Sequence, residues 1–212
     1  MKRRHAMGRR RSTCCCRDPI MNKERLTAFS DGVIAIIITI MVLELKVPHG
    51  ATWKDLAGLW PTFLSYVLSF VYVAIYWNNH HHLLHASRRV TGGILWANMV
   101  LLFWLSLFPF TTGWMAENQF AALPVAVYGV SLLMPAISYF ILQALIVHAN
   151  GDDRRLAEAL GRDIKGKISL VICVAGIGLA FVDPRLACTD YVLLALVWLI
   201  PDRRIERGLG GR

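Results

Sequence analysis

The chain has 212 residues, of which 56% are apolar and only 17% charged, and its formal net charge is +9. A soluble domain carries about 25% charged residues, so this composition, with a mean hydropathy of +0.48, excludes an ordinary soluble enzyme and indicates a membrane protein. The basic excess does not indicate a nucleic-acid surface, because the Lys and Arg residues gather at the termini and in a few short loops between long apolar runs.

Residues 1–20 contain Met1-Lys-Arg-Arg-His5 and Arg9-Arg-Arg-Ser-Thr-Cys-Cys-Cys16 but no apolar stretch, so they are not a secretory signal. They read either as a disordered basic arm or as a misassigned start, with Met21 the more natural beginning; both readings stay open. The Cys14 to Cys16 triplet offers thiols for lipidation or metal binding, and neither use is favoured. With Cys173 and Cys188 in or near apolar segments, no disulfide framework is expected.

From there to residue 206 the chain reads as one membrane domain, followed by a short tail at 207–212. Six apolar segments are expected to form helices: 29–45, 56–78, 91–114, 120–147, 167–182 and 187–201. The first opens at Arg25-Leu-Thr-Ala-Phe-Ser-Asp-Gly32, a polar cluster at the mouth of a helix whose stretch from Val33 to Leu43 has Thr39 as its one polar side chain. Ionisable groups at a membrane boundary are costly unless paired, which makes Arg25 and Asp31 functional candidates. At 100° per residue, Gly32, Ile36, Thr39 and Leu43 share one face. Arg25 and Asp31 lie about 120° apart on the same helix, so any partner for either comes from another helix or another subunit.

The second segment ends in Tyr76-Trp77-Asn78-Asn79-His80-His81-His82-Leu83. Read plainly, Trp77 is an interfacial belt residue and the histidines form a solvated helix end. His81 and His85 share a face but lack a third ligand, so no metal site is expected. The third and fourth segments have short connections, and Pro124 and Pro135 fall in the fourth. A polar connection follows at 149–166, in which Asp153 to Leu160 fits a brief helix and Asp152, Asp153, Glu158 and Asp163 form a solvated face. The last two segments are short and are separated by the Asp183-Pro184 turn, which suits either short spans or a re-entrant hairpin.

Of the 23 Lys and Arg residues, only Lys46, Lys54 and Arg185 lie on the alternate set of loops. The positive-inside rule then places both termini in the cytoplasm and requires an even number of spans, consistent with six. The halves show no convincing internal repeat of the kind seen in many carriers. The sequence contains no Thr-Val-Gly-Tyr-Gly filter, no Walker A motif and no intramembrane catalytic constellation, and Gly176-x-Gly178 lacks the third glycine of a dinucleotide motif. An enzyme is not expected.

The block Arg25-x-x-x-Phe29-Ser30-Asp31-Gly32, opening an apolar helix, resembles the signature of the transmembrane protein 175 family of potassium channels in its prokaryotic single-repeat form. Trp77-x-x-His80 is similar to that family's second-helix motif, and the resemblance extends from Arg25 to Glu206. It implies an all-α subunit with six transmembrane helices, assembled as a homotetramer around a central pore lined by the first helix. It further implies a hydrophobic constriction at Ile36, Thr39 and Leu43, with Gly32 on the same face. Arg25, Ser30, Asp31, Trp77 and His80 are then a structural network that holds the pore helix. The implied permeant ion is potassium in preference to sodium, among monovalent cations, in a bacterial cell (inner) membrane, with no cofactor, no metal and no nucleic acid. The alternative reading is a proton-coupled secondary transporter with Asp31 and His80 as a relay; a third is a non-conducting membrane scaffold.

Overall fold

The structure, a computed structural model, describes residues 23–87, 89–150 and 164–199. The N-terminal arm with its cysteines, the brief helix expected at Asp153 to Leu160 with its acidic face, and the C-terminal tail lie outside the described residues. Helix α1 spans Lys23–Met41 and tightens into a 3-10 turn at Val42–Glu44. It is followed by α2 (Trp53–Ala57), α3 (Trp60–Ala86), α4 (Gly92–Leu105), α5 (Phe108–Glu117), α6 (Ala122–Ala149), α7 (Ile164–Leu179) and α8 (Pro184–Leu199). No strand occurs among the described residues.

Among the described residues, four helical stretches are long and apolar enough to cross a membrane: Lys23–Glu44, Trp60–Ala86, Gly92–Glu117 and Ala122–Ala149. At 1.5 Å per residue a 16-residue helix such as α7 or α8 covers about 24 Å, short of the ~30 Å hydrocarbon core. Inside lipid every backbone polar group must be bonded within the protein, which is why apolar sequence of this length becomes helix. Hydroxyls follow the same rule by bonding to the preceding turn of their own helix: Ser30 Oγ donates to the Leu26 carbonyl at 2.9 Å and Thr39 Oγ1 to that of Ile36 at 2.9 Å.

Two boundaries differ from the sequence reading. The apolar segment 91–114 is not one helix but α4 and α5, broken at Ser106 and Leu107. Pro109 has no N–H and its ring clashes with the carbonyl four residues back, so the ladder restarts there, with Thr111 N–H on the Leu107 carbonyl at 3.0 Å. Helix α3 runs two turns past residue 78 to Ala86, and His80 is buried within it rather than at a solvated end.

The core lies where α6 meets α4, α5, α7 and α8, with α3 closing the other side. Its tightest point is Tyr191. A Cβ on Gly129 of α6 would stand 2.1 Å from the Tyr191 hydroxyl oxygen, and one on Gly176 of α7 would stand 2.4 Å from the ring. Two glycines thus let the helices close around one fully buried aromatic ring. Nearby, Ser69 Oγ bonds the Thr112 hydroxyl at 2.6 Å and the Tyr128 hydroxyl at 3.0 Å, linking α3, α5 and α6. Helix α1 packs on the side of this bundle, against α3, α4 and α5.

Candidate functional site on the first helix

Helix α1 has two unlike faces. Leu26, Ser30, Ile34, Ile37 and Met41 recur every three or four positions and are buried against the bundle. On the opposite side Arg25, Phe29, Gly32, Ile36, Thr39 and Leu43 recur with the same spacing, and all six are exposed in the single chain. Ile36 is 58% and Leu43 75% exposed, and a Cβ on Gly32 would meet nothing within 4 Å. A helix that leaves such a stripe of aliphatic residues uncovered, with one hydroxyl in it, is built to face something other than its own bundle.

The buried face is fastened by polar bonds. Asn98 Nδ2 of α4 donates to Ser30 Oγ at 2.9 Å, and His80 Nε2 of α3 stands 2.6 Å from Asn98 Oδ1. With the amide nitrogen turned to Ser30, the amide oxygen faces the imidazole, so Nε2 carries the proton and donates. His80, Asn98 and Ser30 are all fully buried, and His80 Nδ1, the unprotonated nitrogen of this tautomer, has no partner among the described residues. Three helices therefore meet in one chain of bonds, running from His80 Nε2 through the Asn98 carboxamide to Ser30.

Asp31 belongs to a separate contact: Trp77 Nε1 donates to its Oδ1 at 2.9 Å on the more exposed side of α1 and α3. The structure thus brings Ser30, Asp31, Trp77 and His80 to one junction, but Asp31 and His80 bond to different partners. Arg25 stands on the exposed stripe and has no ion-pair partner among the described residues. Asn98 is the residue that sequence reasoning missed. The available signal was a lone carboxamide inside an apolar run, which in a membrane needs a partner.

At the other end of α1, Glu44 turns toward α5, where its carboxylate occupies the space a Cβ on Gly113 would take, 2.5 Å away. Lys46 and Glu117 form an ion pair just beyond it. A cleft of about 410 Å³ separates the two helices, lined by Val33, Ile36, Ile40, Glu44, Pro109 and Phe110. His81 and His85 approach to 4.4 Å between ring centroids, yet no group of three His, Cys, Asp or Glu able to hold a metal occurs among the described residues.

Three comparisons bear on this arrangement. The family model described as endosomal/lysosomal potassium channel TMEM175 matches residues 25–109, the stretch holding α1, α3, α4 and the Ser30–Asn98–His80 chain. A potassium channel of Chryseobacterium sp. (strain P1-3) is 54% identical over 189 residues, covering 89% of this chain and 98% of that one. One of Streptomyces collinus is 31% identical over 188 residues, 82% of this chain and 90% of that one. Among solved structures, a lysosomal potassium-selective channel TMEM175 homolog from Chamaesiphon minutus superposes with a TM-score of 0.71 at 28% identity, over 84% of this chain and 96% of that one.

Proposed function

We propose that this chain, which belongs to the TMEM175 family, is a potassium channel whose conduction path is lined by the exposed face of α1. The observation that carries the reading is that stripe: Gly32, Ile36, Thr39 and Leu43 are uncovered together on a helix whose other side packs Leu26, Ser30, Ile34, Ile37 and Met41 against the bundle. One helix does not enclose a pore, so several subunits must, arranged as a homotetramer around a central axis. In that assembly α7 and α8 complete six spans per subunit, with both termini on the cytoplasmic side of a bacterial inner membrane. The subunit needs no cofactor.

Ile36 and Leu43 then form rings that narrow the path, with the Thr39 hydroxyls between them. An apolar ring does not replace an ion's hydration shell and tends to dewet when narrow. Discrimination of potassium from sodium therefore rests on the diameter these side chains allow and on Thr39. The Ser30–Asn98–His80 chain and the Asp31–Trp77 bond hold the back of α1, so the width of the path is set by the bundle behind it. Because Asp31 and His80 are not bonded to each other, a proton relay through that pair has less support than conduction along α1.

The test is reconstitution into liposomes under a potassium gradient with a fluorescent flux readout. Flux that favours potassium over sodium and needs no proton counter-movement is the expected result. Strict coupling to protons indicates the carrier, and absence of any flux the scaffold.

A further inference from the structure

We infer that the groove between α3 and α8 is a binding site for an anionic phospholipid, with its acyl chain in the groove and its phosphate on Arg185. The groove has a volume of about 660 Å³, and its walls are Leu64, Val67 and Val71 of α3 and Val192, Leu196 and Leu199 of α8. Its concavity comes from small side chains, Ser65 and Ala195, set between the large ones. The polar atoms beneath it are already used: Ser65 Oγ donates to the Thr62 carbonyl at 2.9 Å and the Tyr191 hydroxyl to that of Val125 at 3.4 Å. The surface left to an occupant is hydrocarbon.

The mouth is different. Arg185 lies in the first turn of α8, exposed, at the end of the bundle where α3 begins and α5 closes. Asp183 stands two residues before it, but Asp183 Oδ1 accepts the backbone N–H of Arg185 at 2.9 Å as part of the turn into α8. No ion pair to the Arg185 guanidinium occurs among the described residues, whereas Lys46, another cation of the same side, is paired with Glu117. The opposite rim is Gln119 and Phe120, two consecutive non-glycine residues in the left-handed region at φ 51° and 57°. Such conformations persist where the surroundings over-determine them, and this one sets an amide and an aromatic ring beside the opening.

Apolar walls within the depth of the bilayer and a free guanidinium at its boundary match the two ends of a phospholipid. Arg pairs with phosphate through two parallel N–H donors, and the pairing favours a lipid with net negative charge. A second copy of this chain fits less well, because the outward faces of its helices would cover Arg185 with apolar side chains and leave a desolvated charge unpaired.

Native mass spectrometry of the full-length protein released from nanodiscs with equal phosphatidylglycerol and phosphatidylcholine tests this. Retention of phosphatidylglycerol over phosphatidylcholine is expected. Arg185→Ala should lower that preference about ten-fold, the loss of one charge-assisted contact, and Arg185→Lys should fall between. Val192→Trp, an exposed wall residue enlarged into the groove, should reduce retention of both lipids. A preference unchanged in Arg185→Ala, or lipid retained at wild-type level in Val192→Trp, overturns the inference. So does a disulfide between subunits formed by Val67→Cys and Leu196→Cys, which would show a second copy in the groove.

Discussion

Asn98 donates its amide N–H to the Ser30 hydroxyl at 2.9 Å, and this bond ties the signature segment of α1 to a helix that carries no signature of its own. Through the same carboxamide, α1 is linked to His80 on α3. The bond lies at full burial, where an unmatched polar group costs far more than a matched one gains.

Asn98→Leu, close in volume, should destabilise the protein by about 1–3 kcal/mol, because it orphans the His80 Nε2 proton while Ser30 keeps its bond to Leu26. Replacing His80 by Leu in the same background should restore part of the loss, since both partners are then apolar. Thermal unfolding in detergent for the two single variants and the double gives the coupling. Strict additivity would mean that the carboxamide and imidazole do not act as a pair.

Asp31→Ala and Trp77→Phe should lower oligomer yield to the same extent, and the double variant no further, because each removes the same bond. Asp31→Asn keeps an acceptor for the indole N–H and should assemble well. Size-exclusion yield is compared with flux for each variant. A well-assembled Asp31→Ala protein with abolished flux would instead favour the proton-coupled carrier.

Gly129→Ala should destabilise by about 1–3 kcal/mol, as overpacking does, because its methyl group would stand 2.1 Å from the Tyr191 hydroxyl oxygen. Tyr191→Phe removes that oxygen and should partly rescue it, as read by the melting temperatures of the two variants and the double.

Ile36→Ala and Leu43→Ala should each raise sodium flux relative to potassium, since a shorter side chain widens the path, while leaving assembly intact because both side chains are exposed in the subunit. The readout is the potassium-to-sodium flux ratio in liposomes. Thr39→Val, which keeps the shape and removes the hydroxyl, should lower that ratio without widening the ring.

Periodicity and the positive-inside pattern were enough to read an all-helical membrane chain, and the stripe of Gly32, Ile36, Thr39 and Leu43 followed from 100° steps because a helix has a fixed geometry. Arg25, Ser30, Asp31, Trp77 and His80 were read as one group; Ser30 and His80 meet through Asn98 and Asp31 bonds Trp77, whereas Arg25 stands apart on the exposed stripe. Their pairing was not legible. Which carboxamide reaches Ser30 depends on how α4 crosses α1, a tertiary fact that no local pattern holds, and which residue of another helix meets Asp31, the Trp77 indole, is a fact of the same kind. The break between α4 and α5 was signalled by Pro109, but hydropathy alone runs through it. The close approach of α6 and α7 to Tyr191 also escaped, since Gly129 and Gly176 read as ordinary residues of apolar helices until a ring is placed between them.

The central claim, that the uncovered face of α1 lines the conduction path, is tested most directly by thiol accessibility. Single cysteines are placed at Ile36, Thr39, Leu43 and, for contrast, Ile37 in a cysteine-free background, and potassium flux is measured before and after a small thiol-reactive cation. Flux should fall sharply for the first three, whose side chains are exposed, and stay unchanged for Ile37, which is packed against the bundle. Flux unaffected at Ile36, Thr39 and Leu43, or blocked equally at Ile37, would place the path elsewhere.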